Sequence, residues 1–593
     1  MPLRQVVVVS TNFLRRNSAI SLSLSIARIR RASTSTTTKG AKNNDTGGYQ
    51  SFGSFHSDNV EELIRLPRDQ YAAPPLPFDT YDDIVPPLHK DKATIDYFTN
   101  SYPTLDRNRW TFLNHGAFGL GLQCGLHRAQ SWRNYAEKQP LQYFDRTLLP
   151  HMVHVTRKMV DFVTTNEDDA TLLRSSVAMI QNVTSGMNAV IYGHYRHTTR
   201  LQDQNHYQNK GVGCASASAI SGQQVFYYDI TYGSTKKICK YHHGQIGNAI
   251  EIPFEEEYLP ILQLQISNDD NGDTNNDVAY LFIMALDKAI EKYCQHMRRA
   301  TNTTSSMDSD VDIVKGSLLI LDHISSNTAI HIPIIAIAKH AKEVYGMIIV
   351  VDGAHGLLSL PLNMGTLLSS DTSSSSSSEE SNNQQQQQQS GGFGGYIDIY
   401  ITNCHKWFSS PRGAAYLFCA NRTIQSTILA QPAVISHGVD DGFLSRYMWD
   451  GCRDYSAQLA VSAVLDYWNG LDSPAIRTEI CINLIEGVHT LCSYWHPTID
   501  FNNSSMTLVP MHLSAPTMTL VRLPNTISGN NSSRKTSTDA KRIQDYLYQH
   551  NIEVPVKCIR GVLYVRVSCH VYNSSDDFDR LGQILMKYST NPT

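Results

Sequence analysis

The chain is expected to fold as an α/β protein, with a large domain on a mostly parallel sheet and a smaller C-terminal α+β domain. Two observations carry this. From about Phe112 to Phe418, apolar runs of strand length alternate with helical stretches, a βαβ rhythm that implies a parallel sheet covered by helices. Two of these runs also end in reactive side chains. MIIVVDGAHG places Asp352 at the end of one, and DIYITNCHKW places Lys406 just beyond the end of another. Open α/β sheets build their ligand sites at the carboxyl ends of their strands.

Residues 1–44 contain no Asp or Glu but carry Arg4, Arg15, Arg16, Arg28, Arg30 and Arg31 among many Ser and Thr. That composition reads as an organellar transit peptide, and the expected location is mitochondrial, with a cytoplasmic chain as the alternative. Residues 45–111 are polar and punctuated by proline, as in YAAPPLPFDTYDDIVPP, and read as an extended arm. The large domain is assigned to 112–428. Inside it, 369–395 holds a Ser run, a Gln run and Gly-Gly-Phe-Gly-Gly, too polar to bury anything, and is expected to be a disordered surface insertion. Without it, Asp352 and Lys406 stand one helix and one strand apart, a single βαβ unit. Similar polar tracts occupy 196–221, 301–312 and 527–539. The small domain, 429–593, starts with a long helical stretch, continues through the strands TMTLVRL and LYVRVSCHVY, and ends in a helix near Asp576–Tyr588.

Composition removes several function classes. A net charge of −4 gives no electrostatic reason to expect nucleic acid. No apolar run approaches the ~20 residues of a membrane helix, so no membrane partner is expected. The eleven cysteines are scattered without a Cys-x-x-Cys pair, so neither a disulfide framework nor a zinc or other metal site is expected.

An amine and a carboxylate at the carboxyl ends of two strands are the two protein groups that a pyridoxal phosphate enzyme requires. The Lys holds the cofactor aldehyde and the Asp keeps the pyridine nitrogen protonated. Lys406 and Asp352, in this order and context, resemble the class V aminotransferase and cysteine desulfurase superfamily, whose fold is pyridoxal phosphate fold type I (aspartate aminotransferase-like). A phosphate also needs amides at a helix N-terminus, and Thr184, Ser185 and Gly186 in NVTSGMNAVI precede an apolar helical run. The resemblance implies further roles. Tyr232 in YYDITYGS would stack on the ring, and His355 would reach the cofactor 3-oxygen or the linkage to Lys406. Asn403 and His405 would contact the phosphate or that linkage. Arg566 in VRVSCHVY would hold the substrate α-carboxylate, a task suited to a forked guanidinium.

FLNHGAFG (112–119), EKQPLQYFDR (137–146), LDHISSNTA (321–329), NCHKW (403–407) and IEVPV (552–556) narrow the resemblance to isopenicillin N epimerase-like and L-cysteine desulfhydrase-like proteins. It spans roughly 100–590 and implies that Asn114 and His115 contact the substrate. WDGCRDYSAQLA is similar to the WxGTRDxSA run with which relatives reach the partner subunit's phosphate, which implies a homodimer. Here Gly451 keeps the glycine and Cys452 replaces the threonine. Cysteine desulfurases carry a nucleophilic Cys on a long loop before the Arg, whereas Cys558 stands only eight residues before Arg566. The expected function is therefore a C–S lyase acting on a small cysteine-like amino acid, of desulfhydrase or sulfoxide lyase type. The alternatives are an epimerase or aminotransferase, then a desulfurase or a non-catalytic scaffold.

Overall fold

The computed structural model describes residues 57–80, 101–102, 105–208, 222–244, 247–264, 274–301, 310–369, 394–497, 506–524, 527 and 534–590, all within one compact unit. The transit-peptide segment 1–44 and most of the 369–395 insertion lie outside the described residues.

Twelve strands are described: β1 (Thr111–Phe112), β2 (Val177–Ile180), β3 (Val225–Tyr228), β4 (Ala249–Ile252), β5 (Leu318–Asp322), β6 (Ile348–Asp352), β7 (Ile399–Asn403), β8 (Ala415–Phe418), β9 (Met518–Arg522), β10 (Ile552–Glu553), β11 (Val556–Ile559) and β12 (Val562–Ser568). Seven form the central sheet in the order β2-β8-β7-β6-β5-β3-β4. Only β8 runs antiparallel to its neighbours. The sequences explain this. VFYY, AYLF and the LLIL of β5 are near-continuous apolar runs, as expected of strands buried on both faces. Alternate residues enter different cores: Val225, Leu318, Ile320 and Val350 pack on one face, while Phe226, Leu319, Leu321 and Val351 pack on the other.

The C-terminal strands form a separate antiparallel sheet, β11-β12-β9. The helix Ser537–Gln549 beside it starts with a capping box between Thr536 and Asp539. The chain closes with helix Ser575–Thr590. β1, at the start of the expected large domain, pairs in parallel with β10, so the FLNHG segment is tied to C-terminal residues.

Two expectations need correction. The arm is not wholly extended: Ser57–Arg65 is a helix. Val60 and Ile64, one turn apart, are fully buried, and Arg65 pairs with Glu61 at 2.8 Å. The 196–221 tract is helical as far as Gln208, because it continues the helix Val183–Gln208. At the 369–395 insertion, Ser369 and Gly394 are bridged to each other, so it leaves and re-enters the fold at one point. No helix among the described residues is long and apolar enough to cross a membrane.

Candidate active site

β5, β6 and β7 lie side by side, and a cavity of about 170 Å³ opens at their carboxyl ends. Asp322 lines it from β5, Asp352 and His355 from β6, and Asn403, His405 and Lys406 from β7. Thr184, Tyr232, Ser326 and Phe118 contribute further wall.

The centre is Lys406, whose Nζ lies 2.9 Å from His355 Nε2. Trp407 Nε1 donates to His355 Nδ1 at 3.2 Å. An indole N–H can only donate, so Nδ1 accepts and the imidazole proton sits on Nε2, facing the amine. Burial, reinforced by the charges of Lys406 and Arg566, holds the His355 pKa well below its usual value, so the ring is neutral. Burial likewise lowers Lys406 to about 8, against the opposing pull of Asp352. The result is an amine that loses its proton far more readily than an ordinary lysine.

Asp352 is buried; Oδ1 accepts from the Ala354 amide at 3.0 Å and Oδ2 from Thr235 Oγ1 at 3.4 Å. It stands in register with Asp322 on β5. Burial raises both carboxyl groups, and the charge on Asp352 pushes Asp322 further, well above the carboxylate range. Donors to Asp352 and the nearby Lys406 favour its ionised form. Of the pair, Asp352 therefore keeps the charge and Asp322 the proton.

The turn after β2 is built by capping. Asn182 Oδ1 accepts from the Ser185 amide at 2.9 Å, Ser185 Oγ donates to the Asn182 carbonyl at 2.7 Å, and the Val183 amide donates to Asn403 Oδ1 at 3.1 Å. A Cβ on Gly186 would sit 2.8 Å from Ile180 and 2.9 Å from Ile401. Ser185 and Gly186 thus serve the cap and its close packing, and Thr184 is the member of the trio that lines the cavity. Tyr232 lines it too and is 43% exposed. His405 is half-buried and neutral: burial, then the charges of Lys406 and Arg412, bring its pKa to about 4, and its Nδ1 has no partner.

Arg566 is buried on β12 and does not itself line the cavity. Its Nη1 donates to the carbonyl of the cavity residue Ser326, and its Nη2 to Asn114 Oδ1 at 3.3 Å; Nε has no partner. Burial lowers its pKa to about 10. Among the described residues no carboxylate pairs with it. A desolvated guanidinium without a counter-ion favours an anion brought from outside.

His115 is a correction. It is fully buried, its Nδ1 meets the Tyr572 hydroxyl at 2.9 Å, its Nε2 meets the Lys406 carbonyl at 3.1 Å, and its ring stacks on His570. With both nitrogens used, it supports the Lys406 backbone and offers nothing to a substrate. Gly119 does the same from the left-handed region: at φ 64°, its Cβ would lie 1.7 Å from the His405 carbonyl. Asn114 holds Arg566 through Oδ1 and Glu553 through Nδ2. Gly451 and the exposed Cys452 do not line the cavity of their own chain, although Gln181 donates to neighbouring Asp450 at 2.5 Å. Cys558 is not on a mobile loop. It sits in the β11–β12 hairpin, its Sγ donates to the Lys535 carbonyl at 3.2 Å, and burial raises its pKa.

These groups fit pyridoxal phosphate. Lys406 would take its aldehyde, Asp352 its ring nitrogen, and Thr184 with the adjoining helix start its phosphate. Because loading requires the neutral amine, the loading rate of cofactor-free protein should rise with pH through about 8. At pH 7 about one Lys406 in ten is already neutral, against a few in ten thousand for an ordinary lysine. Stopped-flow absorbance across pH 6–10 checks this, and a midpoint above 10 would contradict it.

No protein-family model matches the chain. A protein named L-cysteine desulfhydrase from Arabidopsis thaliana is 21% identical over 491 residues, 79% of this chain and 86% of that protein. A putative L-cysteine desulfhydrase 1 from Oryza sativa subsp. japonica is 23% identical, across 80% of this chain and 82% of its own. Isopenicillin N epimerase of Amycolatopsis lactamdurans is 23% identical over 46% of this chain and 60% of its own. Among solved structures, the cystine C–S lyase C-DES with cysteine persulfide superposes at TM-score 0.51 with 15% identity, covering 82% of this chain and 98% of that one. A cysteine desulfurase from Thermococcus onnurineus NA1 gives 0.50 with 12% identity, covering 83% and 97%.

The fold is that of pyridoxal phosphate fold type I, and the residues lining the cavity fit that cofactor. In sequence, the chain is similar to proteins named L-cysteine desulfhydrase and isopenicillin N epimerase.

Sequence reasoning missed Asp322 and Ser326. The signal for Asp322 was present, since LLILD ends in Asp as IIVVD does, on the strand next to it.

Proposed function

We propose that this protein is a pyridoxal phosphate-dependent C–S lyase that cleaves cysteine or an S-substituted cysteine by β-elimination. With cysteine and one water, it yields one sulfide, one pyruvate and one ammonia. The observation that carries this reading is the low-pKa Lys406 amine in a cavity that holds a carboxylate for the ring and adjoins an uncompensated Arg566, with no thiol among the described residues of its lining. The names of the plant relatives support the substrate class.

When bound, pyridoxal phosphate supplies an aldehyde for the substrate amine and a ring that accepts the electron pair of a broken Cα–H bond. Arg566 binds the α-carboxylate and fixes rotation about Cα, so that the correct bond faces the ring. Lys406 Nζ takes the Cα proton. Neutral His355, locked by Trp407, orients that amine. Ionised Asp352 holds a proton at the pyridine nitrogen. The sulfur then leaves Cβ with its electron pair, and hydrolysis of the unsaturated product gives pyruvate and ammonia. Phe118, 72% exposed, forms an apolar lip at the cavity.

No step needs an enzyme thiol. Cys558→Ser should therefore keep at least about half of wild-type sulfide release, since its thiol is tied to the Lys535 carbonyl. A persulfide on Cys558, with activity lost in Cys558→Ser, would replace the lyase by a desulfurase.

We also propose a homodimer in which Gly451 and Cys452 of one protomer approach the phosphate turn of its partner. Cys452 is exposed and is not among the residues lining its own chain's cavity, which supports this. Cys452→Thr should then tighten cofactor binding a few-fold, about one hydrogen bond's worth. A fully active monomer in sedimentation equilibrium would refute the shared site.

A further inference from the structure

Asp322 plays no part in the mechanism above, yet it lines the cavity, is buried to 3% exposure and stands in register with Asp352. Its Oδ1 accepts from the Tyr232 amide at 3.3 Å. Its Oδ2 has no hydrogen-bond partner: the Thr231 hydroxyl is near enough to favour the charged form, but neither atom has hydrogen-bonding geometry with any group. A buried polar atom left unpaired beside a cavity is costly unless a ligand completes it.

The substituent order on the pyridoxal ring tells what would face it. The aldehyde carbon lies between the carbon bearing the 3-oxygen and the carbon bearing the phosphate arm, and the ring nitrogen lies opposite the aldehyde. Lys406 follows β7, Asp352 ends β6, and Thr184 follows β2, on the far side of β8 and β7. With the phosphate arm turned toward Thr184, the 3-oxygen turns the other way, toward β5, which ends in Asp322. His355 is the other group expected at this oxygen. Both its ring nitrogens are engaged, one by Trp407 and one by Lys406.

We infer that Asp322 binds the cofactor as a neutral carboxylic acid, donating a hydrogen bond from Oδ2 to the 3-oxygen of pyridoxal phosphate. Burial next to a charged carboxylate is what keeps an acid protonated near neutral pH. The inference rests on the pyridoxal phosphate reading above and deepens it. The donor stabilises the 3-oxygen as an anion, and so loosens the proton which that oxygen shares with the cofactor–lysine linkage.

The test compares cofactor-loaded wild type, Asp322→Asn and Asp322→Ala. Borohydride reduction and peptide mass spectrometry first establish whether the cofactor is on Lys406. Its absence in wild type would sink the function reading itself. With the cofactor in place, the pH midpoint of its visible absorbance transition and its dissociation constant are measured. Asp322→Ala removes the donor, so the midpoint should rise by about one pH unit and binding should weaken about tenfold. Asp322→Asn keeps a neutral donor, so both values should stay near wild type. A fall in midpoint in both variants would mean an ionised Asp322 and overturn the inference. Unchanged values in both would mean no contact and overturn it equally. Should Asp322→Ala not fold, infrared difference spectra between cofactor-free and loaded protein decide. A carboxylic-acid carbonyl band that shifts on loading and vanishes in Asp322→Asn supports the contact, and no such band refutes it.

Discussion

Lys406→Ala should abolish the covalently held cofactor and reduce sulfide release from cysteine by at least ~10³-fold, because one atom both anchors the aldehyde and moves the Cα proton. The loaded wild type should absorb near ~420 nm, and the variant should lose that band on dialysis. Stability should not fall with activity. Lys406 is 9% exposed, and in the cofactor-free protein burial disfavours its charge more than Asp352 compensates, which is why its pKa drops. Removing a desolvated amine is neutral or mildly favourable, so the melting temperature of cofactor-free Lys406→Ala should equal or exceed that of wild type. A variant that still turns over cysteine at wild-type rate would exclude Lys406 as the base.

Arg566→Ala should lower kcat/KM for cysteine by about 10²–10³-fold, or about 3–4 kcal/mol at 1.4 kcal/mol per tenfold. The carboxylate would lose its partner, and the Cα–H bond its orientation, so kcat should fall along with the rise in KM. Arg566→Lys should recover only part of this, because an ammonium cannot reproduce the fork that now spans Ser326 and Asn114. The cofactor should stay bound in either variant, since Arg566 does not itself line the cavity. Loss of the cofactor together with activity would instead make Arg566 a residue of the cofactor pocket.

Where sequence and structure agree, local pattern and tertiary role coincide. IIVVD and IYITN are short, mostly β-branched runs that read as buried strands, and the residues at or just beyond the end of each run emerge at a strand end. Asp352, His355 and Lys406 were legible for that reason. His115 was not, because its role comes from Tyr572 and His570, more than 450 residues along the chain, and from the carbonyl of Lys406. Nothing within FLNHG reveals those contacts. The arm helix Ser57–Arg65 was hidden for the opposite reason. It is a short local pattern, whose apolar pair Val60 and Ile64 is outweighed by the proline-rich residues after it. The spacing of Cys558 to Arg566 argues against a persulfide loop, and the hairpin that ties its thiol to Lys535 gives that argument a physical form. Asp322 was missed although it carries the same signal as Asp352. One strand-end acid suffices to explain the ring nitrogen, so the second has no role until the strands are seen side by side.

The most direct test of the account is a mass balance. Purified, cofactor-loaded protein and its Lys406→Ala variant are given L-cysteine and, separately, S-substituted cysteines, and sulfide or thiol, pyruvate, ammonia and the enantiomer of the remaining amino acid are followed together. A C–S lyase gives equal amounts of sulfur product, pyruvate and ammonia in wild type, none in Lys406→Ala, and no accumulating D-enantiomer. Racemised amino acid, or an amino group passed to the cofactor, without sulfur release from any substrate, would contradict it.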